Sequence, residues 1–423
     1  MPQMAKDPAP THDPFLSNLD TALSAHPVPA EPGGRADEID GERFGKYLLV
    51  GELGFGGMAE VFLAVQRGLE GFVKVVTLKR VLPHLSRSPE FVRMFIDEAR
   101  LAARLEHANI VRTYEFGEHE GRYYTVMEYL PGEDLVSILK CAKATGQPLP
   151  LSVAATIVAH LCNGLHFAHE LTDQAGRSLG LVHRDINPSN AIITYAGEVK
   201  IIDFGIAKSS ANSNQTVAGT IKGKLAYMSP EQILARGVDR RSDVFSLGIV
   251  LWELVTGRPL FSRSNESATL YAIMNDPIPR AGRVRADVPE ELEAIIATAL
   301  ARTPADRFDS AEEMRVALER FLATEGKIDG HDLARTIEGL FGKARAEAKR
   351  SISQTRSLAK NVSLVMKLRT EVGGSVSPTE AVAAATGVPA PPASRPSVAP
   401  RTASTTQSRA GRVGVGTMAL VLV

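Results

Sequence analysis

Asp185 and Asn190 set a carboxylate and an amide five residues apart in His183-Arg184-Asp185-Ile186-Asn187-Pro188-Ser189-Asn190. A second carboxylate, Asp203, follows eighteen residues after the first, in Asp203-Phe204-Gly205. Asp185 can accept the proton of an attacking hydroxyl. Asn190 and Asp203 offer hard oxygen donors of the kind that hold Mg²⁺ against phosphates. The chemistry such a set suits is phosphoryl transfer, where a protein contributes mostly positioning and charge.

Other elements must bring a nucleotide to these residues. Leu48-Leu49-Val50 and Val61-Phe62-Leu63-Ala64-Val65 read as strands flanking the turn Gly54-Phe55-Gly56-Gly57-Met58-Ala59-Glu60. Glycines there let backbone approach phosphates and take up positive φ. Alone, a glycine-rich hairpin is more often just a turn. Lys79 ends the apolar strand Val75-Val76-Thr77-Leu78, where a lone lysine is usually an exposed strand end. Residues 89–105 read as a helix with an apolar stripe of Phe91, Met94, Phe95, Ala102 and Leu105. Glu98 falls on that stripe, and a carboxylate aimed inward needs a cation. Lys79 is its natural partner. Tyr123 to Leu130 reads as a strand running into a connector. Leu151 to Glu170 reads as a long apolar helix. His166 and His169 on it are packing residues rather than metal ligands, because no Cys or carboxylate set completes a site. Residues 172–180 form a solvated turn. Asp243 to Val255 is apolar nearly all round, as a buried helix should be, with Asp243 placed to cap it.

Taken in order, these stretches resemble the signature set of protein kinases: the glycine-rich loop, the strand lysine, the helix glutamate, HRDIxxxN and DFG. The wording of Gly57-Met58-Ala59-Glu60-Val61 and of Lys222-Gly-Lys-Leu-Ala-Tyr-Met-Ser-Pro-Glu231 is similar to bacterial, eukaryotic-like serine/threonine kinases. The resemblance covers roughly residues 46–324. It implies a two-lobe α+β fold, with a small antiparallel β-sheet lobe carrying one main helix and a larger, mainly helical lobe. It implies ATP and Mg²⁺ (or Mn²⁺) as cofactors and Ser/Thr hydroxyls of proteins as acceptors. Self-association for autophosphorylation would be transient. The other reading is an ATP-binding pseudokinase scaffold.

The resemblance also assigns roles. Gly54, Phe55, Gly56, Gly57, Met58 and Val61 would cover the phosphates. Lys79, oriented by Glu98, would contact them. Met127 would stand behind the adenine as gatekeeper, and the backbone of Glu128 and Leu130 would meet its edge. Asp185 is the implied base, Asn190 and Asp203 the metal ligands. His183 packs near Phe204, and Asp243 holds the catalytic-loop backbone. Arg184 marks enzymes whose activation segment is ordered by phosphate, with Thr216 and Thr220 the preferred acceptors among Ser209, Ser210, Ser213, Thr216 and Thr220. Arg307 would pair with Glu231. Two positions depart from the pattern. The usual lysine two residues after the catalytic Asp is Asn187, and the usual Thr of the segment before Ser229-Pro230-Glu231 is Lys224. Lys224 would restore the missing cation near Asp185, unless the site has decayed.

Composition agrees with a folded catalytic domain and excludes some alternatives. The 423-residue chain is 44% apolar, with 48 basic and 48 acidic residues, so the net charge offers no field for nucleic acid. Two cysteines, Cys141 and Cys162, argue against a disulfide scaffold and for a reducing cytoplasm. The N-terminus has no apolar run, so no signal peptide is expected. Residues 1–45 read as a disordered Pro/Ala/acidic lead, 325–372 as a basic helical extension, and 373–412 as a Pro/Ser/Thr-rich linker. Residues 343–412 hold twelve Lys/Arg against three Glu, a net of +9. The apolar end 413–423 resembles an incomplete membrane segment, since spanning needs about 20 apolar residues. The expected location is the cytoplasm, with weak contact at the inner face of the membrane.

Overall fold

The computed structural model of the chain describes residues 41–69, 72–204, 224–326, 328–342 and 346. The expected lead up to residue 40, the candidate acceptors Ser209 to Thr220, the linker and the apolar end lie outside the described residues.

Six antiparallel strands form the first sheet in the order β1-β2-β3-β4-β6-β5. They are β1 (Glu42–Phe44), β2 (Tyr47–Phe55), β3 (Ala59–Arg67), β4 (Val73–Val81), β5 (Thr113–His119) and β6 (Arg122–Glu128). Alternation along β2, β3, β4 and β6 sends Leu49, Ala64, Val76, Leu78 and Val126 into one buried cluster. β1 lies within the stretch expected to be disordered. Phe44 is buried there, edge-on to Tyr124, and Glu42 pairs with Arg80, which gives this short strand a reason to fold. β4 also runs two residues past Lys79, so that lysine is interior to the strand rather than at its end.

One main helix, α2 (Pro89–Ala102), packs on this sheet after the short helix α1 (Pro83–Ser86). Ser88 Oγ caps α2 by accepting from Phe91 N at 3.3 Å, and Pro89 takes the first helical position, where its missing N–H costs nothing. Phe95 faces inward onto Phe116, with ring centroids 5.5 Å apart. The helix stops at Ala102, three residues short of the periodic reading, and Leu105 reaches the core from the turn that follows.

The second lobe is helical. It holds α3 (Leu135–Thr145), α4 (Leu151–His169), α5 (Pro230–Ile233), α6 (Arg241–Thr256), α7 (Glu266–Asn275), α8 (Glu290–Ala299) and α9 (Ala311–Glu325), with a second sheet of β7 (Gly132–Asp134), β8 (Ala191–Thr194) and β9 (Val199–Ile201) in that order. α4 and α6 are buried on nearly every side, which is why their sequences lack a polar stripe. α4 is the one described helix long and apolar enough to cross a membrane, and it is a core helix here. The turn at 172–180 is a small exposed hairpin, pinned by Asp173 accepting from the backbone of Ala175 and Arg177.

Charges inside this lobe are matched with care. Arg307 and Glu231 form a bidentate pair at 2.7 and 2.8 Å, as the motif implied. Arg307 also donates to the carbonyls of Ala301, Arg241 and Arg302, and Ser242 Oγ donates to Glu231. Glu253 on α6 pairs with no such cation among the described residues. It is 3% exposed and accepts from Tyr227 Oη at 2.7 Å and Leu260 N at 3.0 Å. Burial pushes its carboxyl from 4.5 up to about 7, against the pull of those two bonds.

The compact region extends past α9. A helix over 330–342 buries Leu333 and Ile337, each 1% exposed, in the main core. Cys141 Sγ on α3 lies 3.5 Å from Leu340 O. Gly330 crosses the β8–β9 turn so closely that a Cβ on Gly197 would come 1.8 Å from its carbonyl oxygen, and Gly197 has φ +85°. Only glycine fits there.

Two outcomes follow from this packing. Leu333→Ala should lower the unfolding free energy by about 2–5 kcal/mol, the range for an emptied buried leucine site. Urea denaturation would measure it, and a loss under about 0.5 kcal/mol would mean that the helix does not belong to the core. Glu253 stays protonated in the native state where the unfolded chain has ionised, so native protein binds the extra proton between pH 4.5 and about 7. Stability attributable to this group is full below that window and falls by roughly 3 kcal/mol as pH rises through it. The difference in unfolding free energy between wild type and Glu253→Gln should follow that course. A difference that stays flat with pH would contradict it.

Candidate active site

Strand register lines up the upper half of the site. Gly54 opposes Val61, Val61 opposes Lys79, and Lys79 opposes Thr125, so the four form one row across β2, β3, β4 and β6. Cross-strand partners share a face. Lys79 therefore lies under the glycine turn with Val61 beside it.

The turn itself closes with Gly56 N donating to Ala59 O at 2.9 Å. Positive φ was expected of its glycines, but Gly54, Gly56 and Gly57 do not have it. Among the described residues, a Cβ on Gly54 would meet nothing within 4 Å, and one on Gly56 only Ala59 O at 3.7 Å. Protein packing thus does not demand glycine at either position. Open space lies over the strand pair, which side chains would fill. Phe55 at the tip is 69% exposed, and Met58 is also exposed.

Lys79 Nζ sits 2.6 Å from Asp203 Oδ1. Burial works against its charge, yet attraction to Asp203 and Glu98 holds its pKa above the ordinary lysine value. Asp203 is displaced the other way, well below the carboxylate range, by Lys79 and then Lys224 overcoming burial. The pair expected between Lys79 and Glu98 is thus a longer-range attraction, and the direct contact goes to Asp203. Glu98 and Asp203 both line the cavity below Lys79, together with Thr125, Met127 and Phe204.

Met127 stands on β6 beside Thr77 and Thr113 and faces that cavity, so it packs at the back of the cleft. After it, Glu128 N donates to Arg112 O at 2.9 Å. Its side chain accepts from Lys200 Nζ at 2.9 Å and from Arg112 N at 2.8 Å. The Glu128 amide and carboxylate are therefore committed to the protein. Leu130 is half-buried in the connector between β6 and β7 (Gly132–Asp134).

The lower half hangs from Asp243. His183 N and Arg184 N donate to its two oxygens at 2.8 Å each, and His169 Nε2 lies 2.8 Å from Oδ2. Burial works to raise this carboxyl, and the contacts from His169 and from the His183 backbone hold it below its usual range. Asp243 was also expected to cap α6. Its carboxylate is spent on the loop instead, and the N-cap residue, Arg240, makes no side-chain capping bond. The loop so held bends sharply at Arg184, φ +63°, and Asp203, beyond the strand Val199–Ile201, has φ +52°, both in the left-handed region. The His183 ring packs 4.5 Å from that of Phe204.

On this loop Asp185 and Asn190 meet. Asn190 Nδ2 donates to Asp185 O at 2.8 Å and to Asp185 Oδ2 at 3.1 Å. The amide nitrogen is thereby occupied, so the amide oxygen is the atom suited to a cation. Lys224 Nζ reaches Asp185 Oδ2 at 3.1 Å from across the cleft. Asn187, by contrast, turns into the loop. Its Nδ2 donates to Asp185 O at 2.8 Å, and its Oδ1 accepts from Ser189 N at 3.0 Å.

Two supporting residues escaped the sequence reading. Gln232 Nε2 donates to Arg184 O at 2.9 Å, and its Oε1 accepts from Ser229 N at 3.0 Å. The run Ser229-Pro-Glu-Gln232 is a capping-box sequence, which could have pointed to it. His169 became the partner of Asp243, 74 residues away, and no local pattern announces that.

Comparison with known proteins agrees with this layout. The protein kinase domain family matches residues 47–317. The tyrosine-protein kinase MasK of Myxococcus xanthus (strain DK1622) is 47% identical over 303 residues, 71% of this chain and 47% of that protein. The serine/threonine-protein kinase PknB of Mycobacterium leprae (strain TN) is 37% identical over 328 residues, 74% of this chain and 50% of that protein. The chain spans about half the length of these relatives. Among solved structures, the PknI kinase domain of Mycobacterium tuberculosis aligns with a TM-score of 0.51 and 30% identity, covering 66% of this chain and 98% of that one. A family match over well more than half of the chain, on a cleft assembled from both lobes as described, makes this chain a member of the protein kinase family.

Proposed function

We propose that the chain transfers the γ-phosphoryl group of ATP, with Mg²⁺, to serine and threonine hydroxyls of proteins, its own activation segment included. The observation that carries the reading is the convergence of two ammonium groups on the acidic set. Lys79 stands 2.6 Å from Asp203, and Lys224 stands 3.1 Å from Asp185. Cations so placed suit a polyphosphate and the charge that develops on it.

In this reading the open space over Gly54 and Gly56 admits the phosphates beneath backbone N–H groups. Lys79 binds them, and Glu98 adds to the field that keeps it charged. Met127 closes the back of the adenine pocket, while the Glu128 carbonyl and the Leu130 backbone fix the base. Asp203 and the Asn190 amide oxygen would hold the metal, whose charge offsets that of the phosphates when bound. Asp185 orients the acceptor hydroxyl and takes its proton.

The choice of Ser/Thr over Tyr is supported by the several relatives at 36–40% identity named serine/threonine-protein kinases. The one named a tyrosine-protein kinase is 47% identical. Nothing in the cleft favours a scaffold without activity. Asn187 and Lys224, the two departures from the family pattern, are what would argue for one, and in this reading Lys224 makes up for Asn187.

Intact-mass spectrometry before and after incubation with Mg²⁺ and ATP tests the proposal. Phosphates should add to the native chain and not to Asp203→Asn, and peptide mapping should find them on Ser or Thr, Thr216 and Thr220 first. ATP binding without any added mass, on the chain or on a generic protein substrate, would overturn it.

A further inference from the structure

We propose that Lys224 supplies to the transferring phosphoryl group the cation that position 187 of the catalytic loop cannot, and that its station is fixed from α6 rather than from that loop. The proposal rests on the kinase reading above. Asn187 is 4% exposed and carries no charge. Beyond its bonds to Asp185 O and Ser189 N, its Oδ1 accepts from Ser189 Oγ at 2.5 Å. It starts the single 3₁₀ turn Pro188–Asn190, which presents Asn190. Its task is to shape the loop, and no rotation that keeps these bonds would aim it at a phosphate.

Lys224 occupies the complementary position. Its side chain is 37% exposed, so the ammonium touches Asp185 while facing the open cleft. The turn that carries it, Lys224–Tyr227, is anchored twice to α6: Tyr227 Oη donates to Glu253 Oε2 at 2.7 Å, and Ser246 Oγ donates to Tyr227 O at 2.8 Å. A charge that usually travels with the catalytic loop is here placed by the segment on the acceptor side.

In the transfer, the bond from the acceptor oxygen to the γ-phosphorus forms as the bond from that phosphorus to the β,γ-bridging oxygen breaks. The hydroxyl proton passes to Asp185, and ADP leaves with the electron pair. Lys224 exchanges no atom and acts by charge alone, at the non-bridging oxygens and on the position of Asp185.

Single-turnover transfer at saturating Mg²⁺ and ATP tests this, with wild type, Lys224→Thr, Lys224→Arg and the double variant Asn187→Lys/Lys224→Thr. Lys224→Thr should slow the transfer step about 10²–10³-fold while the Kd for ATP moves less than about threefold. Lys224→Arg should recover at least a tenth of the wild-type rate, a rescue that a merely structural residue would not show. The double variant should regain at least tenfold over Lys224→Thr. If lysine at 187 is not tolerated in the fold, the Thr and Arg variants still decide. An unchanged or faster Lys224→Thr enzyme would overturn the proposal, the faster one by marking the Lys224–Asp185 pair as inhibitory. A wild-type enzyme without transfer would instead overturn the kinase reading itself.

Discussion

The lower half of the cleft depends on one carboxylate without solvent. Asp243, fully buried, accepts from two consecutive backbone N–H groups and meets His169. An uncompensated charge at that depth would cost several kcal/mol, so the loop and the carboxylate stabilise each other or neither is stable. The bond geometry holds the backbone through Arg184 in a left-handed conformation that most residues avoid. Asp185 and Asn190 follow directly and inherit their positions from it. A residue buried away from the cleft thus determines where Asp185, the proposed proton acceptor, stands.

From that anchor the support spreads outward through residues that each serve two neighbours. Gln232 completes the cap of α5 and holds Arg184 O. Arg307 neutralises Glu231 and satisfies three carbonyls, so one guanidinium ties α5, α6 and the loop after α8 together. Tyr227 carries the Lys224 turn onto α6 through Glu253. The catalytic loop and the acceptor-side segment therefore both end on α6, one at Asp243 and the other at Ser246 and Glu253. That common footing is what the proposal for Lys224 relies on: a cation outside the loop that still meets the carboxylate of Asp185.

Much of this was legible in residue order. Glycine turn, strand lysine, helix glutamate, loop and metal carboxylate each carry a local signal, and their succession fixes the two-lobe fold. What the sequence hid is long-range and contextual. That Lys79 contacts Asp203 rather than Glu98 depends on where the second lobe presents Asp203, 124 residues on. The missing positive φ in the glycine turn shows that those residues leave room rather than bend the chain. Asp243 at the start of an apolar helix looks like a cap, and only the packed loop shows what its oxygens bind. Helix was expected within 325–372, but not that its 330–342 part packs into the core, because two buried residues, Leu333 and Ile337, are too few to make a clear stripe.

The central claim is that this cleft passes phosphate to an aliphatic hydroxyl. Its most direct measurement is phosphoamino-acid analysis after the enzyme has labelled a mixed Ser, Thr and Tyr peptide library from γ-labelled ATP with Mg²⁺. Label in phosphoserine and phosphothreonine is the predicted result. Label confined to phosphotyrosine, or ATP bound with no label transferred, would contradict the account.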